Sequence, residues 1–539
     1  MTVPQGTRGP ALDAIVVGAG FSGLYMLHRL RGLGLDAVVL ESGDGVGGTW
    51  YWNRYPGARC DSESWSYSYS FSPELEQEWT WAERYPSQPE MLRYLDHVAD
   101  RFDLRRDIRF GTTVTAASFR DAHGDWEVRT DTGDVLTARF LITAVGCLSS
   151  ANVPDIDGRA SFAGEQHHTG RWPHDGVDVT GKRVGVIGTG STGIQVIPKL
   201  AEPASHLTVF QRTPNFSIPA RNRPLTEADN ASFKAHYGAI RRLQRSSTNG
   251  HPYLIADRAT LSVPDEERTR IYEDGWARGG LQFRAAFSDM MVDKAANDAA
   301  SDFLRSKIRE VVTDPATAEK LLPFDHPFAA KRPPIDTEYF ETYNRDDVTL
   351  VDVRSDPIVE ITPAGIRTES AEHPLDTIVF ATGFDAMTGP LLRMGIHGRD
   401  GLALSEKWAA GPRTYLGLQT AGFPNLFTIT GPGSPSVLAN VPTCIEQHVD
   451  WIAEALVHLD ERGATLIEAE PDAEDRWVDH VNAAADRTLL PLAGSSWYLG
   501  ANVPGKPRVF MPYAGGLGAY TRLCDDVAAR GYPGFALST

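Results

Sequence analysis

Residues 14–17 (Ala-Ile-Val-Val) are an unbroken apolar run, the pattern of a strand buried on both faces of a parallel sheet. The period then lengthens, with Leu24, Leu27, Leu30 and Leu33 recurring at helical spacing. A second apolar run, residues 37–40, ends in Glu41. Strand, helix and strand within about 30 residues predict a βαβ unit. The order returns downstream. Residues 183–187 predict a strand, a helix follows from Ile194, and residues 207–210 predict a strand ending in Gln211 and Arg212. Residues 225–323 look different, being rich in Ala, Arg, Asp and Glu, with helical stretches such as residues 301–310. Asp314 before Pro315 reads as a helix cap followed by proline at the first helical position. The apolar residues 377–380 return the chain to a sheet.

The pattern predicts an α/β fold with two Rossmann-like dinucleotide-binding domains and a helical insertion in the second. A chain of 539 residues is also too long for one packed core. The expected division is 1–147 and 385–539 for the first domain, 148–220 and 331–384 for the second, and 221–330 for the insertion.

Each predicted unit carries GxGxxG between its strand and its helix: Gly18, Gly20 and Gly23, then Gly188, Gly190 and Gly193. The first glycine permits the tight turn, the second lets backbone N–H groups approach a pyrophosphate, and the third lets helix and strand pack closely. The residues ending the second strands separate the ligands. Glu41, 18 residues after Gly23, can accept from ribose hydroxyls and would repel a 2′-phosphate, which suits FAD or NAD. Arg212, 19 residues after Gly193, can pair with a 2′-phosphate, which suits NADPH. Two adjacent dinucleotides imply hydride transfer between them. Disulfide reductases share this arrangement but need a reactive cysteine pair, so here O2 is the expected electron acceptor.

Composition acts by exclusion. The net charge of −18, without any Lys/Arg block, argues against nucleic acid or an anionic membrane as partner. Cys60, Cys147, Cys444 and Cys524 form no CxxC, which disfavours a redox dithiol or zinc knuckle and fits a reducing cytoplasm. No carboxylate or cysteine cluster accompanies His167 and His168, so no metal is expected. Residues 1–13 lack a signal-peptide core, and the apolar run that follows is broken by Gly18, Gly20, Gly23, His28 and Arg29.

Between the two units, Phe162, Gly164, His168, Trp172 and Pro173 resemble the FxGxxxHxxxWP fingerprint of type I Baeyer–Villiger monooxygenases at every fixed position. The resemblance covers nearly the whole chain. Residues 47–61 resemble the family's flavin-side segment, Lys331-Arg332 its basic pair, and residues 381–383 its linker. Residues 496–498 with 500–506 resemble its mobile C-terminal loop. Residues 431–446 resemble the longer substrate-pocket loop of the phenylacetone and steroid monooxygenases.

The resemblance implies oxidation of ketones to esters or lactones with FAD, NADPH and O2, through a C4a-peroxyflavin and a tetrahedral adduct. A peroxide must stay anionic to attack carbon, and Arg332, permanently charged, is the candidate to hold it so. Asp61 is expected to orient Arg332 rather than act as a base. Implied flavin contacts are Ser22, Gly48, Thr49, Trp50, Trp52, Tyr67, Val114 and Val441. Lys331 and Thr213 are expected to share the 2′-phosphate with Arg212, and Thr192 and Gln195 to help hold the nicotinamide dinucleotide. Trp497 is read as a lid, with core packing the alternative, and Ser436, Val437 and Leu438 as the ketone pocket. His168 is expected to organise the linker by hydrogen bonding rather than to transfer protons. A soluble monomer or weak homodimer is expected. Two rivals remain open: an S- or N-oxygenase of the wider group, and a non-enzymatic flavin redox sensor.

Overall fold

In the computed structural model, which describes residues 12–539, two sheets dominate. The first centres on the parallel strands Leu12–Val17 and Ala37–Leu40, joined by helix Phe21–Gly32. Val135–Thr143 flanks Leu12–Val17 in parallel, and Leu426–Thr428 pairs with it from the far end of the chain. Val114–Arg120 and Asp125–Thr130 extend this sheet antiparallel, a ribbon that the βαβ pattern did not announce.

The second sheet runs Val348–Asp352, His206–Gln211, Arg183–Ile187, Thr377–Phe380 and Glu165–His168, every pair parallel. Its central strands are apolar because both faces are covered, one by helices packed on Val184, Val186 and Val209, the other by an antiparallel sheet whose Ile361 and Ile366 join Phe210, Ile378 and Phe380. Helix Ser191–Ala201 starts three residues earlier than the sequence reading placed it. A three-stranded antiparallel sheet, Ile358–Thr362, Gly365–Thr368 and Glu372–Pro374, is added beside the second sheet.

The chain between His206–Gln211 and Val348–Asp352 forms the helices Glu227–Ser246, Asp265–Arg278, Lys294–Val311 and Pro315–Leu321. Asp314 caps the last of these, accepting from Thr317 N–H at 2.9 Å, with Pro315 in the first turn. By sequence this insertion belongs to the second unit, but its contacts reach both. Arg241 pairs with Glu76 at 2.8 Å, Gln244 donates to the Ser66 carbonyl at 2.8 Å, and Phe233 stacks on Trp65 with centroids 4.0 Å apart. Ile308, Val312, Ala318 and Leu321, by contrast, join the core under the second sheet.

No helix among the described residues is long and apolar enough to cross a membrane.

Candidate active site

Both glycine turns lie at the carboxyl end of their first strand. Gly18 has φ of +104° and Gly188 of +110°, where a side chain is strained. A Cβ on Gly18 would stand 2.6 Å from the Ala144 carbonyl oxygen, and one on Gly188 2.5 Å from that of Ala381. A Cβ on Gly23 would fall 1.8 Å from the Gly18 oxygen, and one on Gly193 2.2 Å from the Gly188 oxygen. The middle glycines differ: a Cβ on Gly20 would stand 3.3 Å from Gly48 Cα, whereas one on Gly190 would meet nothing within 4 Å. Neither following helix has a side-chain cap, so their first N–H groups are available to phosphates. Ser22 is buried in the first of these turns, while Thr192 is half-buried in the second.

The flavin-side segment packs on the first turn through Gly47 N–H, which donates to the Ala19 carbonyl at 3.0 Å. It continues as the short helix Thr49–Trp52. Trp50 Nε1 and Ser62 Oγ are sealed from solvent without partners, leaving donors that a polar ring system would satisfy. Tyr67 sits edge-on to Trp50 at 6.0 Å and to Phe21 at 5.5 Å. Val114 and Val441 begin a strand and a helix of the same unit and pack into its cores. These features fit FAD.

The strand-end residues contrast. Glu41 is buried, accepting from Ala19 N–H at 2.7 Å and Gly43 N–H at 2.8 Å, so its carboxylate is fixed beneath the first turn. Arg212 is exposed and has no acceptor among the described residues. Val353 N–H donates to the Gln211 carbonyl at 2.9 Å, so Arg212 and Arg354 both follow the carboxyl ends of neighbouring parallel strands. Lys331 faces this group with only Asp325 at 4.0 Å. Burial lowers the Lys331 ammonium to about 8, with Arg212 and Arg354 adding to the shift against Asp325. Thr213 anchors the turn through its carbonyl, which accepts from Thr189 Oγ at 2.9 Å. Three cations beside two carboxylates, Asp325 at 4.0 Å from Lys331 and Asp352 at 3.6 Å from Arg354, with Arg212 unpaired among the described residues, fit a 2′-phosphate. Arg354 was missed by the sequence reading because only strand pairing brings it here.

Asp61 and Arg332, 271 residues apart, form a bidentate pair. Arg332 Nε and Nη2 donate to Asp61 at 2.8 and 2.7 Å, and Nη1 donates to the Val437 carbonyl at 2.8 Å. Burial alone would lower the Arg332 guanidinium and raise the Asp61 carboxyl. Each partner's charge outweighs that, so Arg332 lies above and Asp61 below its ordinary value. Val437 and Ser436 are buried in the short helix Ser436–Leu438, and Val437 and Leu438 pack with Met387, Tyr498, Met511 and Trp497 in one apolar wall. Trp497 contacts Tyr498 at 4.5 Å, a position compatible with both lid and packing roles. The C-terminal loop is latched to the linker: Lys506 Nζ reaches Asp385 at 2.7 Å, and Asn502 donates to the Phe384 carbonyl at 2.7 Å.

The fingerprint residues join the units. Phe162 is buried under the second sheet, and a Cβ on Gly164 would meet the Asp376 oxygen at 2.3 Å. His168 ends strand Glu165–His168, and its Nδ1 accepts from Gly170 N–H at 3.0 Å. Burial lowers it to about 4, so it is neutral at working pH. Trp172 is buried with Tyr55 and Ala58 of the flavin-side segment, and Pro173 leads on to His174, which bonds Arg54 at 2.8 Å.

Gln195, half-buried near the start of the second helix, accepts from Tyr55 OH at 2.8 Å and donates to the Arg59 carbonyl at 3.0 Å, so it also ties the units together. His251 was not foreseen from the sequence. It is 4% exposed with Nδ1 unpartnered, and its ring stacks on Tyr253 at 5.4 Å. A lone histidine carries no readable motif.

The pyridine nucleotide-disulphide oxidoreductase family matches residues 15–242. A Baeyer–Villiger monooxygenase of Pseudooceanicola batsensis is 45% identical over 98% of this chain and 96% of its own. A phenazine N-monooxygenase of Lysobacter antibioticus is 45% identical over 97% of each chain. The solved structure of oxidized steroid monooxygenase bound to NADP matches with a TM-score of 0.93 and 56% identity, over 98% of this chain and 99% of that one.

Proposed function

The chain belongs to the Baeyer–Villiger monooxygenase family, and from that premise we propose how its residues carry NADPH- and O2-dependent oxygen insertion beside a ketone carbonyl. Bound FAD supplies the redox chemistry, passing the electrons of NADPH to O2. The first turn, from Gly18 to Gly23, with Glu41 and residues 47–61, holds FAD. The second turn, from Gly188 to Gly193, holds NADPH, with Arg212, Thr213, Lys331 and Arg354 around its 2′-phosphate. The intervening boundaries near residues 147, 220, 330 and 384 divide the two domains and the insertion.

Arg332 places a fixed positive charge where negative charge develops as the carbonyl is attacked. Asp61 positions the guanidinium and keeps its fork rigid. Val437, Leu438 and Ser436 shape the wall that receives the ketone, while Trp497 and Tyr498 exclude water. His168, neutral and half-bonded, positions the linker between the units. The observation that carries this reading is the Asp61–Arg332 pair, held at 2.7 and 2.8 Å and completed by the carbonyl of the pocket loop itself.

The test is ester or lactone formation by the purified holoenzyme from cyclic, aromatic and steroidal ketones with NADPH under isotopically labelled O2. One labelled atom should appear in each ester. Rapid NADPH oxidation with no ester from any ketone would reject the reading. The phenazine N-monooxygenase relative supports a second reading, heteroatom oxygenation as a side activity, in which sulfides or aromatic amines compete with the ketone at lower kcat/KM. A reducing, cytoplasmic setting is supported by the four unpaired cysteines, and the lack of a nucleic-acid or anionic-membrane partner by the net charge of −18.

A further inference from the structure

Aromatic rings of the first unit follow one another from the flavin side to the protein surface. Trp50, on the segment that packs against the first glycine turn, meets Tyr67 edge-on at 6.0 Å between centroids. Tyr67 meets Phe21, the first residue of the helix after that turn, at 5.5 Å, and Phe21 meets Tyr69 at 4.9 Å. Tyr69 and Tyr94 are 6.2 Å apart, and Tyr69 N–H donates to the Tyr94 hydroxyl at 3.0 Å. Tyr94 then contacts Trp81 at 5.1 Å and Trp79 at 5.3 Å, and the two indoles stand 5.8 Å apart. Trp79 ends the series. It is half-buried, and its chain neighbours Glu78 and Thr80 are exposed.

Packing alone does not ask for these side chains. Tyr69, Tyr94 and Trp81 are each at most 2% exposed, where phenylalanine or leucine would fill the core with no polar atom to satisfy. Phenols and indoles share one property that those residues lack: they yield an electron readily. Vulnerable sulfur lies close by, since Met26, Cys60 and Met91 are buried in the same core. Oxidation converts such side chains into polar ones and disrupts a core. A protein that brings electrons to O2 beside this core has a use for another path by which oxidising equivalents leave.

We propose that Trp50, Tyr67, Tyr69, Tyr94, Trp81 and Trp79 form a protective relay that passes a missing electron from the flavin side to the surface, with Phe21 filling the gap between Tyr67 and Tyr69. This rests on the FAD reading of residues 47–61 and goes beyond it. The oxidant is of the hydroxyl-radical class. It arises when hydrogen peroxide from an abortive turnover gains one electron from reduced flavin and splits into that radical and hydroxide. The radical takes an electron and a proton from Tyr67 or Trp50 and leaves as water. Each ring regains its electron from the next ring outward, and the proton it shed returns with it. At Trp79 a soluble thiol supplies the last electron and proton, and two thiyl radicals so formed join as a disulfide. In sum, one electron and one proton pass from thiol to oxidant.

The experiment reads the relay twice on intact holoenzyme, comparing the wild type with the double variant Trp79→Phe/Trp81→Phe, which keeps an aromatic ring at each position. In the first, a light pulse on bound oxidised flavin withdraws an electron from the adjoining ring. Transient absorption of the wild type should show a tryptophan radical that long outlives the excited flavin. The double variant should lose that signal while retaining its flavin content and ester formation. In the second, both proteins consume NADPH without ketone, and oxidised residues are located by peptide mass spectrometry. Oxidation should collect at Trp79 in the wild type and move to Met26, Cys60, Met91 and Tyr67 in the variant, and glutathione should prolong activity in the wild type alone. A wild type with no long-lived tryptophan radical, or with oxidised core sulfur and an intact Trp79, overturns this inference alone, whether or not the variant folds. A variant that matches the wild type in both measurements overturns it too. A purified chain that binds no flavin overturns the FAD reading and this with it.

Discussion

The two glycine turns share their backbone and differ in everything around it. Gly18 and Gly188 adopt φ of +104° and +110°, and both would collide with a carbonyl oxygen if they carried a Cβ. At the first turn Gly20 is closed in by Gly48, and Glu41 is buried and fixed by two backbone donors. At the second turn the space over Gly190 is open and Arg212 is exposed beside Lys331 and Arg354. The shared backbone makes a phosphate cradle. The surroundings decide whether its occupant is enclosed and kept, like a prosthetic group, or met by loose cations and exchanged, like a cosubstrate.

The most severe test falls on the residue that both units serve. Arg332→Ala should reduce ester formation by about 10²- to 10³-fold while NADPH is still oxidised, as read by product mass spectrometry beside nicotinamide absorbance. Ester yield within a few-fold of wild type would detach the reaction from this cation. Next come the glycines. Gly23→Ala should fold poorly and lose flavin, because its Cβ would land 1.8 Å from the Gly18 oxygen. Gly190→Ala should keep full flavin absorbance and raise KM for NADPH roughly tenfold by filling the space a pyrophosphate needs. Equal flavin loss in both variants would abolish the distinction between closed and open sites.

Arg212→Ala should lower kcat/KM for NADPH about 10-fold with little change for NADH, and an unaltered coenzyme preference would refute the phosphate assignment. The smallest effect is a pH dependence. Lys331, lowered to about 8, is charged below that pH and neutral above it. A 2′-phosphate is a dianion above its second pKa of about 6, so binding should be tightest between the two values. KM for NADPH, but not for NADH, should climb a few-fold as pH rises through about 8, and Lys331→Met should remove the climb.

Where information is local, the sequence was readable. The apolar runs, the glycine spacings and the Asp314–Pro315 start each specify structure within one or two turns of chain, and each was found within a few residues. The fingerprint from Phe162 to Pro173 was legible only as a resemblance. Its physical content, burial of Trp172 against Tyr55 and Ala58, needs the fold. The Asp61–Arg332 pair spans 271 residues, and no periodicity relates its members. Arg354 is brought to Arg212 by strand pairing, and Gln195 is captured by Tyr55 from the other unit. The antiparallel ribbon from Val114 to Thr130 is a different case: Trp126, Val128 and Thr130 alternate strictly with more open positions, but the partner strand carries a register shift between Val114 and Ala116 and few large apolar residues.

The insertion leaves the chain from one sheet and is fastened to the other, through Arg241, Gln244 and Phe233, while its later helices share a core with the first. A bracket bolted at both ends has thermal consequences. Neither half can melt without tearing the helices that also brace its neighbour, so the holoprotein should show one calorimetric endotherm instead of two, despite containing two nucleotide folds.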